Sequence, residues 1–160
     1  MRAEVVGATA DRVELRFRYL GPTTTSVPLG SGDLRRQFGV KLRVQDTCNV
    51  LYVMWHIEPS QNLAVSVKHN EGQARHKQCR DGGYTNLSPT IVGPVLKVEI
   101  SVPHPLRAEI EDQRLTVLVD DQLTWEGSVG ELGRTLHGPV GIRSDNGRFK
   151  FEVATQRIRP

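Results

Sequence analysis

No apolar run in this 160-residue chain approaches the roughly 20 residues that a bilayer-spanning helix requires, which excludes a helical membrane span. Helical periodicity is nearly missing, so a helix bundle is excluded too. The chain has only two cysteines, Cys48 and Cys79, and no CxxC pair. Its five histidines, His56, His69, His76, His104 and His137, show no HxH or HxxxH spacing. Neither set reads as a metal site. The net charge is only +3, and Lys and Arg alternate with apolar residues rather than gathering into a stripe with stacking aromatics. A nucleic-acid partner is therefore not expected. There is no low-complexity tract and no internal repeat. No positively charged segment followed by an apolar one opens the chain. The default expectation is then a cytoplasmic protein, with a removed signal or a trimmed parent left open.

What fills the chain instead is alternation. A hydrophobic content of 38% with 24% charged residues suits a globular fold, and the length suits one domain over residues 1–160. In RVELRFRY, Val13, Leu15, Phe17 and Tyr19 fall on one face and Arg12, Glu14, Arg16 and Arg18 on the other, as in a half-buried strand. GVKLRVQ repeats this with Val40, Leu42 and Val44 inward and Lys41, Arg43 and Gln45 outward. LKVEISV turns Leu96, Val98, Ile100 and Val102 inward, and LRAEIE does the same with Leu106, Ala108 and Ile110. RLTVLV and LTWEG follow, joined by a tight turn at Asp120 and Asp121. VGIR and RFKFEV close the chain as a hairpin around SDNG, where Asn and Gly tolerate positive φ. About ten such strands, punctuated by Gly, Pro, Asn and Asp, predict an all-β, antiparallel sandwich or barrel.

The segment CNVLYVMWHIEPSQNLAVSVKHN, residues 48–70, predicts a strand pair around Pro59, Ser60 and Gln61, with Ile57 near Leu63. Leu51, Val53, Trp55, Ile57, Leu63, Val65 and Val67 then share the core face. Tyr52, Met54, His56, Ser66 and Lys68 share the other, joined by Lys41, Arg43 and Gln45 if the preceding strand is the neighbour. So Trp55 points inward and His56 outward. A face of aromatics, cations and amides suits a sugar, whose C–H faces stack on rings while its hydroxyls need fixed polar partners. Arg43 and Lys68 would favour an acidic saccharide or another anionic ligand.

Two long connections interrupt the strands. GPTTTSVPLGSG, residues 21–32, is polar and leads into an expected helical turn at DLRRQ. EGQARHKQCRDGGYTNLSP, residues 71–89, exceeds the roughly 12–15 residues usual for a structureless loop and reads as functional or mobile. It offers Arg80 as a cation, Gly82 and Gly83 for close backbone approach, the Tyr84 ring and the Asn86 amide. As a lip over Tyr52 and His56 it would complete a site. Cys79 with His76 suggests a nucleophile pair but lacks a third, orienting group. Cys48 and Cys79 read first as one buried and one exposed thiol, with a disulfide as the alternative.

LRAEIEDQRLTVLVDDQLTWEG followed by GPVGIRSDNGRFKFEV resembles the closing strands of concanavalin A-like lectin and glucanase jelly rolls, laminin-G-like domains among them. Asp121 stands where that pattern usually has Gly. The resemblance implies two large antiparallel sheets stacked face to face, one of them concave, with ligands on the concave face or its loop rim. Catalytic members of the superfamily would carry E-x-D-x-x-E on one strand, and that motif is absent. The nearest carboxylates, Glu109 and Glu111 of AEIED, have cationic neighbours and suit a solvated outer face. No cofactor is expected: jelly rolls of this resemblance often bind a structural calcium, for which Asp145 or Asp33 would be the candidates, but turn-forming aspartates are the first reading of both. The expected function is a noncatalytic, lectin-like, saccharide-binding module, with Arg43, Tyr52, His56, Lys68, Arg80, Tyr84 and Asn86 as ligand residues. Two alternatives stay open. One is a glycoside hydrolase or polysaccharide lyase using His56 with Tyr52 or Tyr84 as acid and base. The other is a protein-interaction or structural module that buries Tyr52 and Met54 against a partner. Oligomeric state is not fixed by the sequence.

Overall fold

The computed structural model describes residues 1–5, 10–95 and 97–156. Two six-stranded sheets stack face to face, as the jelly-roll resemblance implies. The first holds, in spatial order, β1 (Arg2–Glu4), β11 (Gly141–Asp145), β3 (Arg36–Leu42), β4 (Val50–Glu58), β5 (Asn62–Lys68) and β6 (Tyr84–Asn86). The second holds β12 (Gly147–Gln156), β2 (Arg12–Pro22), β8 (Pro103–Glu111), β9 (Arg114–Val119), β10 (Gln122–Ser128) and β7 (Ile91–Val92). Every strand pair given by the register is antiparallel. Two short helices, α1 (His76–Cys79) and α2 (Gly130–Thr135), lie in the connections.

Alternation decides which side chains meet between the sheets. Val13, Leu15, Phe17 and Tyr19 of β2 pack with Leu51, Val53, Trp55 and Ile57 of β4 and with Leu106, Ala108 and Ile110 of β8 in one buried cluster. Phe17 meets Phe38 and Trp55 edge-on, with centroids 5.1 and 5.6 Å apart, the arrangement that aromatic quadrupoles favour. His104 is buried beside Phe17 and Trp55, with its Nδ1 2.9 Å from Asp120 Oδ2. Each large apolar side chain withdrawn from water contributes about 1.5–3 kcal/mol. A one-residue slip of β4 would turn its whole apolar set outward, so its register is fixed by burial.

Several local expectations fail, each for a backbone reason. SDNG closes no hairpin: β11 pairs with β3 in one sheet and β12 with β2 in the other. Asn146 does adopt positive φ (57°), but its side chain clamps the 23–35 connection, accepting from Val27 N at 2.8 Å and donating to the carbonyls of Val27 and Arg35, each at 2.9 Å. Positive φ marks a tight turn without saying which sheet the chain enters next. The Asp120–Asp121 turn is as expected, with φ of 50° and 62°. DLRRQ forms no helical turn and runs into β3 at Arg36. In LKVEISV only Val98 is inside; Ile100 is 62% exposed, Val102 is exposed, and Leu96 lies outside the described residues. The described residues that lead from β7 to Ile100 form no strand, and Ile100 makes only an isolated bridge to Tyr19 before Ser101 turns to φ 66°.

The 71–89 connection is held rather than loose. Cys48 and Cys79 form a disulfide, with S–S 2.10 Å, in place of the reduced thiols first expected. The bond removes the Cys79 thiolate that a nucleophile would need. After α1, Gly83 at φ 80° passes so near the His69 carbonyl that an added Cβ would fall 2.5 Å from it. The chain then joins the sheet as β6, with Ser66 opposite Asn86 and Lys68 opposite Tyr84.

Candidate functional site

β4 supplies the floor of the site because its alternate residues leave the core. Trp55 points inward, while Tyr52, Met54 and His56 share the outward face. Pairing sets Lys41, Gly39 and Gln37 of β3 opposite those three residues, and Ser66, Ala64 and Asn62 of β5 on their other side. A cavity of about 300 Å³ opens over Tyr52, Met54, His56, Ala64 and Ser66. That is the low end of the range of roughly 300–1,000 Å³ for small-ligand sites. Tyr84 and Asn86 of β6 wall one side, Arg143 of β11 the other, and Leu29, Gly30 and Ser31 come from the clamped connection. Gly30 lies against Asp81 so closely that a Cβ there would fall 1.9 Å from the carboxylate, so the two long connections meet at this rim.

Two tyrosines dominate the groove. The rings of Tyr52 and Tyr84 are 5.9 Å apart between centroids and tilted by 30°. Arg143, only 8% exposed, touches both, its guanidinium carbon 5.3 Å from the Tyr52 ring centroid and Nη1 3.5 Å from the Tyr84 hydroxyl. Its Nε donates to Asp145 Oδ2 at 2.8 Å, an oxygen that also accepts from Gln37 Nε2 at 2.6 Å. Burial opposes the Arg143 charge, but Asp145 together with Tyr84 and Tyr52 more than offsets it and raises the guanidinium pKa. The groove thus holds a fixed cation beside a ring.

His56 is the opposite case. Burial, and next the nearby Arg35 guanidinium, push its pKa down to about 4; a hydrogen bond with Asn62 resists, and Arg143 adds to the depression. Arg35 Nη1 lies 3.4 Å from Nε2, and since a guanidinium only donates, Nε2 accepts. His56 is therefore a neutral imidazole at physiological pH. An unfolded histidine titrates near 6.5, so between about pH 6.5 and 4 the unfolded chain holds a proton that the folded chain refuses. The stabilisation is whole above pH 6.5 and is lost as pH falls toward 4, by about 3 kcal/mol. Urea midpoints followed across this window should show that slope in the native chain and a flatter one in His56→Gln; parallel curves would refute the assignment.

Of the residues expected to form the site, Tyr52, His56, Tyr84 and Asn86 line the groove together. Arg43 does not. β3 ends at Leu42, Arg43 turns to φ 49°, and its Nη1 donates to the Gly133 carbonyl at the edge of α2 at 3.0 Å. The same turn reverses the next residue, so Val44, expected in the core, packs with Val50, Tyr52 and Met54 on the outer face. Lys68 is 1% exposed, with Nζ donating to the Arg80 carbonyl at 2.5 Å and standing 5.1 Å from the Tyr84 centroid. It supports the Tyr84 platform from below. Arg80 is exposed beyond α1 and contributes that carbonyl, while its neighbour Asp81 is the one that reaches the groove. The expectation from sequence omits Arg143, Gln37, Arg35 and Asp81.

Glu109 and Glu111 lie on the outer side of the second sheet, beside Arg12 (3.6 Å) and Arg114 (2.9 Å), away from the groove. Both carboxylates named for a calcium have side-chain partners of their own. Asp145 Oδ2 is held by Arg143 and Gln37, and Asp33 Oδ2 by Arg35 and Ser31. Among the described residues no group of three His, Cys, Asp or Glu side chains is placed to hold a metal ion.

No family model matches the chain, and no curated protein matches it in sequence. Its similarity is to solved structures. A carbohydrate-binding module from Bacillus subtilis aligns over 95% of this chain and 74% of its own, with TM-score 0.58 and 11% identity. A homodimeric agglutinin from chicken liver aligns over 96% and 98%, with TM-score 0.57 and 10% identity. A toad ovary galectin in complex with thio-digalactose aligns over 98% and 97%, with TM-score 0.55 and 10% identity. At such identities the likeness is one of fold: the chain shares with these structures a two-sheet, antiparallel jelly-roll sandwich.

Proposed function

We propose that the chain is a noncatalytic, lectin-like module that binds a saccharide in the groove of the first sheet. The carrying observation is the Tyr52–Tyr84 ring pair, set beside Arg143, His56 and Asn86 in one small cavity. An exposed ring such as Tyr84 stacks on a sugar C–H face, with the buried Tyr52 ring behind it, while a guanidinium, an amide and a neutral imidazole donate to and accept from hydroxyls. The similar folds of a carbohydrate-binding module, an agglutinin and a galectin support the same reading. Arg43 and Lys68, the two cations behind the expected acidic ligand, are engaged elsewhere. Arg35 and Arg143 are balanced by Asp33 and Asp81 around the groove, which favours a neutral saccharide. With its pKa near 4, His56 is neutral at pH 7 and is poorly suited to act as a general acid.

Glycan-array binding by the native chain and by Tyr84→Ala tests this. Tyr84 is 39% exposed, so its loss should leave the fold standing. Affinity should drop about tenfold or more, since one stacked ring is worth on the order of 1–2 kcal/mol. A native chain that binds no glycan, or an array pattern that Tyr84→Ala leaves unmoved, removes the site.

A further inference from the structure

A second cavity, of about 500 Å³, opens at the rim of the sandwich and shares Arg35, His56, Ala64 and Asn86 with the groove. Strand length creates it. β6 pairs only with Ser66–Lys68 of β5, and Leu87 adds one further bond, to the Val65 carbonyl at 2.9 Å. Among the described residues, the Asn62–Ala64 part of that edge has no strand beside it. Across the gap, the edge strand β7 is two residues long and pairs with Trp125 and Glu126 of β10. The shortened edges leave an opening toward the apolar side of both sheets, lined by Leu63, Val65, Leu87, Val92, Val95 and Trp125, with Glu58, Ser60, Asn62 and Thr124 also on its surface. At its mouth Val92 is 73% exposed, an apolar side chain that the core does not use.

We propose that this cleft receives an apolar aglycone, an alkyl or aryl group carried by the saccharide in the groove; the inference rests on the saccharide reading above. His56, Ala64 and Asn86 border both spaces, so a substituent leaving the sugar on that side reaches those apolar side chains directly. The volume suits several methylenes or a fused ring pair and is far too small for a folded partner. Continuity with the groove makes one amphiphilic ligand, polar at one end, the fitting occupant.

Two probes separate the cleft from the groove. N-Phenyl-1-naphthylamine, a neutral apolar dye, should bind the native chain and Tyr84→Ala alike, because Tyr84 lines the groove and not the cleft. Val92→Glu, at an exposed position and with its thermal midpoint checked, should weaken the dye tenfold or more. In calorimetry with matched methyl and n-octyl β-D-glucopyranoside, β-D-galactopyranoside and α-D-mannopyranoside below micelle-forming concentration, the octyl member should bind about tenfold or more tightly than its methyl partner, each buried methylene being worth about fourfold. Val92→Glu should erase that gain and leave the methyl glycoside unchanged. Equal affinities within a pair, or a gain that survives Val92→Glu, overturn the aglycone site and leave the saccharide reading intact. If none of the six glycosides binds and no glycan on the array does either, both readings fall, even where the dye binds in a Val92-dependent way.

Discussion

Arg143→Met is expected to reduce saccharide binding about 100-fold and to cost about 3 kcal/mol of stability, the low end of what breaking a buried ion pair costs. Three contacts converge on this side chain: the Asp145 carboxylate, the Tyr52 ring and the Tyr84 hydroxyl. Methionine keeps much of the volume and removes the charge. Asp145 would keep its bond from Gln37 but lose its cation while largely buried, which is why the cost falls at the low end of the range. The binding loss is larger than for one hydrogen bond because Arg143 both lines the groove and contacts the two tyrosines that form its aromatic surface. Arg143→Met with Asp145→Asn separates these roles. Removing both charges should restore most of the stability, since a buried pair replaced as a unit is often nearly neutral. Affinity should stay low. Urea denaturation and titration with a glycan identified on the array measure both. A single variant within 1 kcal/mol of the native chain would deny the ion pair its structural part, and a double variant that binds normally would deny Arg143 its ligand part.

Much of the fold was legible because it depends on local alternation. Every core position assigned on β2, on β4 and on the LRAEIE part of β8 is buried as expected, since nothing interrupts the period of two there. The outward set Tyr52, Met54 and His56 follows by subtraction, which is how four of the seven expected ligand residues come to share the groove. Positive φ at single non-glycine residues was not legible. Arg43 resets the alternation, and so Arg43 left the face and Val44 crossed to it; Ile100 left the core because the described residues that lead to it from β7 form no strand and Ile100 makes only an isolated bridge to Tyr19. Sheet order was not legible either. Arg143 enters the site because β11 lies beside β3, whereas SDNG promised pairing with the following strand. Its partners Tyr52 and Tyr84 stand far from it in sequence, and no local pattern joins them. Lys68 fell on the correct face, but the loop that covers it decides that its ammonium meets a carbonyl instead of a ligand.

Cys48→Ser with Cys79→Ser is expected to lower stability by about 3–4 kcal/mol, as the bond closes a loop across a sequence separation of 31. The loss falls on the unfolded state, whose freedom the crosslink restricts, so it should appear as a shifted urea midpoint in the oxidised native chain against the variant. Reductant should move the native chain to the variant's position and leave the variant where it is. Coincident midpoints would show that the crosslink adds nothing. The folded loop has other holds: Asn49 Nδ2 donates to the Gln73 carbonyl at 2.7 Å, Thr47 Oγ1 to the Ala74 carbonyl at 2.9 Å, and Asn70 Nδ2 to the carbonyls of Cys48 and Gly82 at 3.0 and 3.2 Å. Where the serine variant remains folded, those bonds keep Arg80 over Lys68 and Tyr84 against the sheet, and glycan affinity should fall by less than tenfold. A larger fall, with the fold intact, would mean that the covalent tether and not this network positions Tyr84, and amide exchange at His69, whose N–H bonds the Gly83 carbonyl at 2.9 Å, would report the loosening directly.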